Sequence, residues 1–237
     1  VSLFGDASEV DMPAPKFVPA QPWSEIQKLR FEKDVVGFYL SGHPLDSFKK
    51  EMEYFCNIEI SELSDLVKLK NKEIAFAGIV TSAEHRMTKT GKPFGVMFIE
   101  DFSGSFELAI FGDDYLKHRN FMEKEYFLYI KAKVQARFGD ENKLEVKISS
   151  MKMLPDLGNS LAKGVIVNLE LKKIDQQTIE DMVAMTQRHP GKLPLRFVVR
   201  NEDQKVEMLS KTLKVNFNND LFNELDQMVN VSYRIEN

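Results

Sequence analysis

The sequence predicts an α+β protein of several domains: a short helical segment, a five-stranded β-barrel and a small C-terminal α+β domain in the order β-α-β-β-α-β. The prediction rests on the spacing of apolar residues. Over residues 23–71 the spacing is that of amphipathic helices, and from residue 73 it alternates as in strands. In the last third, strand-like and helix-like segments alternate again. At 237 residues, with 43% hydrophobic and 29% charged residues, the chain is long for one domain and suits two.

The N-terminal part is predicted to be a linker followed by a helix. Residues 1–22 contain four prolines and many small residues, which predicts an extended linker. Residues 23–71 are predicted to be mainly helical. Ser24, followed three residues later by Gln27, forms a capping-box pattern at the start of the first helix. The apolar stripe continues to residues 41–44, where a glycine and a proline are expected to end the helix.

A second helix is predicted from Asp46, as its N-cap, to Phe55. The single cysteine, Cys56, follows it, so the chain has no internal disulfide, and we expect the thiol to pack as a small buried hydrophobe. No apolar run approaches the roughly 18 residues of a membrane-spanning helix, and no secretory signal follows Val1. We therefore expect a cytoplasmic protein that does not use a membrane.

Residues 72–153 are predicted to form the barrel. The predicted strands are 74–80, 93–101, 105–111, 126–137 and 143–153, with a helix over 115–122. Gly78 lies at the centre of the first strand, where a barrel strand has to bend. Residues 102–104 form a tight turn that joins the second and third strands as a hairpin. A helix between the third and fourth strands is the order of the OB-fold.

Residues 154–237 are predicted to form the C-terminal domain. Its predicted strands are 165–171, 193–199, 207–215 and 229–235, and its predicted helices are 176–188 and 221–228. This β-α-β-β-α-β order predicts a sandwich of the ferredoxin-like type.

We expect no catalytic residue, no metal and no cofactor in this chain. Two-metal chemistry needs carboxylates that converge on the ions, whereas the adjacent pairs Asp113-Asp114 and Glu100-Asp101 point apart. Asp113-Asp114 falls where a helix should begin and is expected to cap it. Gly91-Lys92 lacks the other residues of a phosphate-binding loop. One cysteine and four scattered histidines show no zinc-ligand spacing.

The loop between the first two barrel strands predicts contacts with phosphates. It carries Arg86, Lys89 and Lys92 and no acid, and it lies at the edge that binds ligands in an OB-fold. The alternative is a solvated hairpin tip. The net charge of −4 argues against a nucleic-acid partner, but residues 1–71 hold 8 basic and 12 acidic residues, whereas residues 72–153 hold 13 and 12. The barrel is therefore free to carry a basic groove.

Aromatic residues on the second strand predict contacts with bases. Alternation places Phe94 and Phe98 on one face, where they would stack on bases; the alternative is that they pack under a neighbouring helix or linker. Arg137 and Lys143 flank the loop between the fourth and fifth strands and are expected to close the groove. Weak, salt-sensitive and sequence-tolerant binding is the expected result.

Residues 31–45, with the sequence FEKDVVGFYLSGHPL, resemble the segment that follows the helix-hairpin-helix region in the alpha subunit of bacterial DNA polymerase III. Residues 89–93 (KTGKP), residues 99–107 (IEDFSGSFE) and Phe111 are similar to the OB strands of the same family. The order of linker, helices, OB domain and small α+β domain also matches, so the resemblance covers the whole chain.

The resemblance implies three partners. The OB domain is implied to hold the single-stranded DNA template, and the C-terminal domain to dock the tau subunit of the clamp loader. Residues 1–4 (VSLF) are similar to the end of the motif that binds the sliding clamp, the beta subunit, with Leu3 and Phe4 as anchors. Because the glutamine of that motif would precede Val1, we expect weakened clamp binding. The family is a DNA-directed DNA polymerase, a nucleotidyltransferase, whose catalytic domains lie upstream, so this fragment is expected to be non-catalytic.

Two alternatives stay open from the sequence. The OB pattern is shared with the anticodon domains of tRNA synthetases, which predicts an RNA-binding module with a preference for an anticodon stem-loop. The other alternative is a protein-interaction scaffold whose OB face touches no nucleic acid.

Overall fold

A computed structural model describes residues 21–137, 140–202 and 204–236, without the side chains of residues 141 and 142. The chain divides into two compact units, Val1–Gly42 and His43–Asn237.

In the first unit the described residues, 21–42, form helix α1 (Glu25–Val36). The predicted capping box is confirmed, since the Gln27 N–H donates to Ser24 Oγ at 3.3 Å and the Ser24 N–H donates to Gln27 Oε1 at 3.0 Å. The predicted end at residues 41–44 is wrong. The helix stops at Val36 because Gly37 adopts a left-handed conformation with φ 91° and its N–H donates to the Lys33 carbonyl.

The second unit begins with a 3₁₀ turn (Asp46–Phe48) that leads into α2 (Lys49–Phe55). The prediction that Asp46 caps this helix is wrong, because α2 begins three residues later and has no side-chain cap. The Asp46 carboxylate instead accepts the N–H of His43 at 2.5 Å, which closes the tight turn before the helix. A second 3₁₀ turn (Ile60–Ser64) follows.

Five strands then form one antiparallel sheet in the order β3-β2-β1-β4-β5. The strands are β1 (Glu73–Met87), β2 (Pro93–Glu100), β3 (Ser105–Phe111), β4 (Phe127–Arg137) and β5 (Asp140–Met153). Helix α3 (Gly112–His118) and a 3₁₀ turn (Arg119–Phe121) lie between β3 and β4, so the predicted OB-fold order is confirmed. The edges β3 and β5 share no ladder, which leaves the barrel open along that seam.

Alternate residues of β1 serve two different cores. Ile74 and Phe76 point into the barrel, where they pack with residues of every other strand. Ala75 and Ala77 point outward and pack under α2 together with Tyr129 of β4. The central strand is therefore buried on both faces.

The C-terminal domain contains β6 (Gly164–Glu170), α5 (Gln176–Arg188), β7 (Pro190–Asn201), β8 (Gln204–Val215), α6 (Asn219–Gln227) and β9 (Val231–Glu236). A 3₁₀ turn (Leu154–Asp156) and α4 (Leu157–Leu161) connect it to the barrel. The predicted element order is confirmed, but the ferredoxin-like arrangement is wrong. The sheet order is β8-β7-β6-β9, because α5 connects two adjacent parallel strands, β6 and β7, with no strand inserted between them.

Both α5 and α6 cover the same face of this sheet. Val165 and Val167 of β6 share one core with Met182 of α5 and Phe222 of α6. The opposite face of β6 carries Ile166, Asn168 and Glu170, and none of these three side chains belongs to the core formed with α5 and α6.

Candidate nucleic-acid interface

The outer face of β2 and β3 carries three phenylalanines. Phe94 pairs directly with Phe111, and Phe98 pairs with Glu107, so all these side chains lie on one face of the sheet. The rings of Phe94 and Phe111 stack with centroids 5.0 Å apart and an angle of 11° between their planes. Phe98 is 39% exposed and Phe111 is 48% exposed, while Phe94 is half-buried. We call Phe94, Phe98 and Phe111 the aromatic face.

Phe111 was absent from the residues singled out by alternation along β2 alone. The pairing of β2 with β3 across their hairpin would have predicted Phe111 as a member of this face. The Asp101 carboxylate accepts the N–H groups of Ser103 and Gly104 at 2.7 and 3.1 Å and holds the turn that pairs Glu100 with Ser105. This register places Phe111 opposite Phe94. Asp101 is thus a buried turn residue rather than part of a metal-binding pair.

Arg86 lies beside the aromatic face but is already engaged. It pairs with Phe94 across β1 and β2 and shares the outer face with Glu84. Its Nε donates to Glu84 Oε2 at 2.7 Å, and a second guanidinium nitrogen contacts the same oxygen. The acid that precedes the predicted loop therefore neutralises part of the basic charge at this edge.

Lys89 and Lys92 lie on a tight turn at the end of the same hairpin. The Thr88 N–H donates to the Lys92 carbonyl at 2.8 Å, and the Lys92 N–H donates to Thr88 Oγ1 at 3.0 Å. Gly91 allows the turn because its φ is 75°. Both lysines are exposed, and neither ammonium group has an ion-pair partner among residues 21–137, 140–202 and 204–236. Their charges are therefore available to a ligand.

A cleft of about 430 Å³ lies along the open seam between β3 and β5. Arg137 and Lys143 line it, and so does Phe111 of the aromatic face, which makes the two surfaces continuous. Lys143 is paired with Asp140 at 3.2 Å. Lys147, which the sequence did not single out, also lines the cleft. Its Nζ lies 2.7 Å from Asp114, and this hydrogen bond raises the pKa of Lys147.

The remaining predicted positions are spread over the chain. Leu3 and Phe4 lie outside the described residues. Asp113 and Asp114 occupy the first turn of α3, where acids suit the helix dipole, but the predicted side-chain cap is wrong because Phe111 is the N-cap. Across the described ranges, no group of three or more His, Cys, Asp or Glu is arranged to hold a metal ion.

Cys56 follows α2 as its C-cap and is half-buried, and burial raises the pKa of its thiol to about 12. An un-ionised thiol is a poor nucleophile and metal ligand. No helix in the described part of the chain is long and apolar enough to cross a bilayer.

Two family models match the chain. The model of the DNA polymerase III alpha subunit, C-terminal domain, matches residues 165–236. The model of the OB-fold nucleic acid binding domain matches residues 74–154. Together they cover the C-terminal sheet with its helices and the whole barrel.

Similar sequences match nearly the full chain. The DNA polymerase III subunit alpha of Vibrio cholerae is 26% identical over 219 residues, which cover 90% of this chain and 18% of that protein. The same subunit of Escherichia coli K12 is 25% identical over 94% of this chain and 19% of that protein. The subunit of Borreliella burgdorferi is 38% identical over 51% of this chain and 11% of that protein. The chain thus spans less than a fifth of the length of these relatives.

Solved structures that match parts of this chain include the mitochondrial single-stranded DNA binding protein Rim1 of S. cerevisiae and the asparaginyl-tRNA synthetase of Pyrococcus horikoshii. Rim1 is 11% identical with a TM-score of 0.27, and the match covers 35% of this chain and 95% of Rim1. The synthetase is 13% identical with a TM-score of 0.31, and the match covers 68% of this chain and 43% of the synthetase.

Proposed function

We propose that the chain is part of a bacterial DNA polymerase III alpha subunit, whose C-terminal region it matches, and that it binds single-stranded DNA through its aromatic face. The observation that carries the proposal is the exposure of Phe98 and Phe111 on the outer face of β2 and β3. Exposed rings on this face of an OB-fold provide stacking surfaces for successive bases.

The charges around the aromatic face support weak binding. Lys89 and Lys92 provide phosphate contacts at one edge, and Arg137 lines the seam cleft on the other side of β3. Glu84 and Glu107 lie on the same outer face and oppose the approach of a polyanion. Stacking then contributes more than charge, and the affinity falls as salt is raised.

The aromatic contribution can be tested by fluorescence anisotropy with a labelled oligothymidylate. The double variant Phe98→Ala/Phe111→Ala is expected to weaken binding at least about tenfold, because each stacked base contributes about 1–3 kcal/mol. Phe102→Ala/Tyr126→Ala removes two aromatic side chains of similar exposure that do not belong to the aromatic face, and serves as the control. Equal affinity of the two double variants would sink the proposal.

The charge contribution is tested with Lys89→Glu/Lys92→Glu. The control Lys211→Glu/Lys214→Glu makes the same charge change at exposed positions of β8. Weaker binding is expected only for the loop variant. If neither variant changes the affinity, the scaffold interpretation is favoured. A stronger affinity for an anticodon stem-loop RNA than for the oligothymidylate would favour an RNA-binding module of the tRNA synthetase type.

We also propose that the fragment works as a docking part of a replicative polymerase in the cytoplasm. In this proposal residues 154–237 dock the tau subunit, Leu3 and Phe4 contact the sliding clamp, and nucleotidyl transfer takes place in parts of the longer protein outside this chain. Pull-downs with the clamp and with tau test it. Leu3→Ala/Phe4→Ala should reduce clamp capture and leave tau capture unchanged; the reverse pattern would contradict the assignment.

A further inference from the structure

The open face of the C-terminal sheet carries two unengaged arginines. Val165 and Val167 point toward α5 and α6, so Ile166, Asn168 and Glu170 point to the other face. Arg234 of β9 pairs with Ile166, and Arg200 of β7 pairs with Glu170. Both arginines therefore lie on the face opposite α5 and α6.

These arginines line a common cleft of about 430 Å³. The cleft is also lined by Asn168 of β6, by Ser232 of β9 and by Asn230, which directly precedes β9. We call this the sheet cleft. It opens at the carboxyl ends of the parallel strands β6 and β7, the end at which open α/β sheets bind their ligands.

The charges in the sheet cleft are unbalanced. The guanidinium groups of Arg200 and Arg234 make no hydrogen bond or ion pair with any residue in the described ranges, whereas Arg196 on the same face lies 3.5 Å from Glu236 and 4.0 Å from Glu207. Glu170 is the one acid lining the cleft, and it is held by Lys173 at 2.7 Å. Among the described residues no carboxylate binds either guanidinium group directly. The charge of Arg234 does reach Glu207 of β8, whose pKa is lowered first by its hydrogen bond with Lys205 and also by the charges of Arg196 and Arg234. Both guanidinium groups therefore remain able to bind a ligand.

We propose that the sheet cleft binds the phosphodiester backbone of a single-stranded nucleic acid. Guanidinium groups bind phosphate oxygens through paired N–H donors, and the side chains of Asn168, Asn230 and Ser232 add further donors. None of the described residues that line the cleft is aromatic, so the contacts are limited to phosphate and sugar and do not depend on base sequence.

The spacing of the arginines suits a strand rather than a single anion. Their partners on β6, Ile166 and Glu170, are four residues apart, which separates the two arginines by about 13 Å along the strand direction. Two phosphates of one extended strand can then be held at opposite ends of the cleft. The proposal stands apart from the aromatic face, since it involves different residues on a different sheet.

The test measures the affinity of the full chain for a labelled oligothymidylate of about 35 nucleotides over a range of salt concentrations. Arg200→Gln/Arg234→Gln should weaken binding and lower the slope of log affinity against log salt by about 1.4, the loss of two phosphate contacts with a single strand. Lys211→Gln/Lys214→Gln, with the same charge change on β8, should leave the slope unchanged. Circular dichroism and urea unfolding of both variants serve to check that each is folded.

An unchanged slope for the arginine variant, or an equal change in the control, would overturn the proposal. A third contrary result would come from competition with a polyglutamate peptide of equal charge at equal concentration. If that peptide displaced the oligonucleotide from the sheet cleft, the cleft would be a site for an acidic protein partner. Repeating the titration in the Phe98→Ala/Phe111→Ala background separates the two proposals. A slope that still depends on Arg200 and Arg234 in that background supports the sheet cleft whatever the aromatic variant does by itself.

Discussion

Glu51 is a carboxylate of α2 that lies inside the protein without full hydrogen bonding. Its side chain is 5% exposed, and Oε2 has no partner among the described residues. Burial raises the pKa of this carboxyl from 4.5 to about 7. Burying a charged carboxylate is costly, so the folded protein favours the protonated form.

The raised pKa predicts a stability that falls with rising pH. Between about pH 4.5 and 7 the unfolded chain loses this proton while the folded chain keeps it, so the contribution of Glu51 to the free energy of unfolding decreases across that window. Glu51→Gln should stabilise the protein by up to about 3 kcal/mol at pH 8 and much less at pH 5, as measured by urea unfolding. The exposed Glu123→Gln is the control. An equal gain at both pH values would show that Glu51 is not the titrating group.

Gly78 allows β1 to pass close to β2. A Cβ at this position would lie 2.6 Å from the Glu100 carbonyl oxygen and 2.8 Å from the Ile99 side chain. We expect Gly78→Ala to lower the free energy of unfolding by about 1–3 kcal/mol, because backbone atoms would have to move. Gly104→Ala, whose nearest neighbours would be 4.0 Å away, should be close to neutral in the same urea titration. Similar losses in both variants would contradict this steric argument.

At the scale of elements, α2 joins the barrel to the C-terminal domain. Lys50 Nζ lies 3.0 Å from Asp226 of α6 and 5.6 Å from the centre of the Tyr233 ring of β9. Burial opposes the charge of Lys50, but hydrogen bonds with Tyr233 and Asp226 outweigh it and raise its pKa. The neighbouring Lys49 pairs with Asp46 at 2.7 Å at the surface.

This difference predicts unequal effects of two adjacent substitutions. The Lys50 side chain is 19% exposed, so Lys50→Ala should cost about 1–2 kcal/mol of unfolding free energy through its charged hydrogen bonds. Lys49→Ala should cost less than about 1 kcal/mol, as is usual for an exposed ion pair. Thermal unfolding of the two variants checks the order. If Lys49→Ala is the more destabilising, α2 is not held by the Lys50 contacts.

Element order was predictable, whereas strand order and one helix end were not. The barrel followed from alternation and from the turn after Asp101, which fixes the register of β2 and β3. The end of α1 was not predictable from the apolar pattern, because apolar residues continue past Gly37. The structure leaves Phe38 57% exposed, so its apolar side chain does not indicate a buried helical face. The C-terminal sheet was misjudged because a β-α-β order is compatible with strands that are adjacent or separated, and only tertiary packing decides between them.

The candidate site was predictable in part, for reasons that lie in pairing across strands. Alternation along β2 is sufficient to place Phe94 and Phe98 on one face, which the structure also does. The ion pair between Arg86 and Glu84 was not foreseen, because it depends on side-chain reach along one face of β1. Arg200 and Arg234 are 34 positions apart in sequence. Only the order of the strands in the sheet brings them to the same cleft.

At the scale of the whole second unit, one side chain belongs to two cores. Phe55 packs against the cluster between α2 and the barrel and also against the core of the C-terminal domain, where its ring centre lies 5.8 Å from that of Phe217. Its carbonyl also accepts the hydroxyl of Tyr129 in β4 at 3.1 Å. Among the described core clusters, Phe48 belongs to the cluster between α2 and the barrel and not to the core of the C-terminal domain. Its ring centre lies 5.1 Å from that of Phe127.

The shared packing predicts that the barrel and the C-terminal domain unfold as one cooperative unit, and that Phe55 couples them. Hydrogen exchange should show β4 and β6 losing protection at the same denaturant concentration in the unmodified chain. Phe55→Ala should lower the free energy of unfolding by about 3–5 kcal/mol, and by less if neighbouring side chains fill the space. It should also make β4 and β6 lose protection at different denaturant concentrations. Phe48→Ala should destabilise both strands together, because it leaves the shared contact intact. Separate transitions in the unmodified chain, or a single one in Phe55→Ala, would show that the coupling resides elsewhere, with Lys50 and Asp226 as the next contact to test.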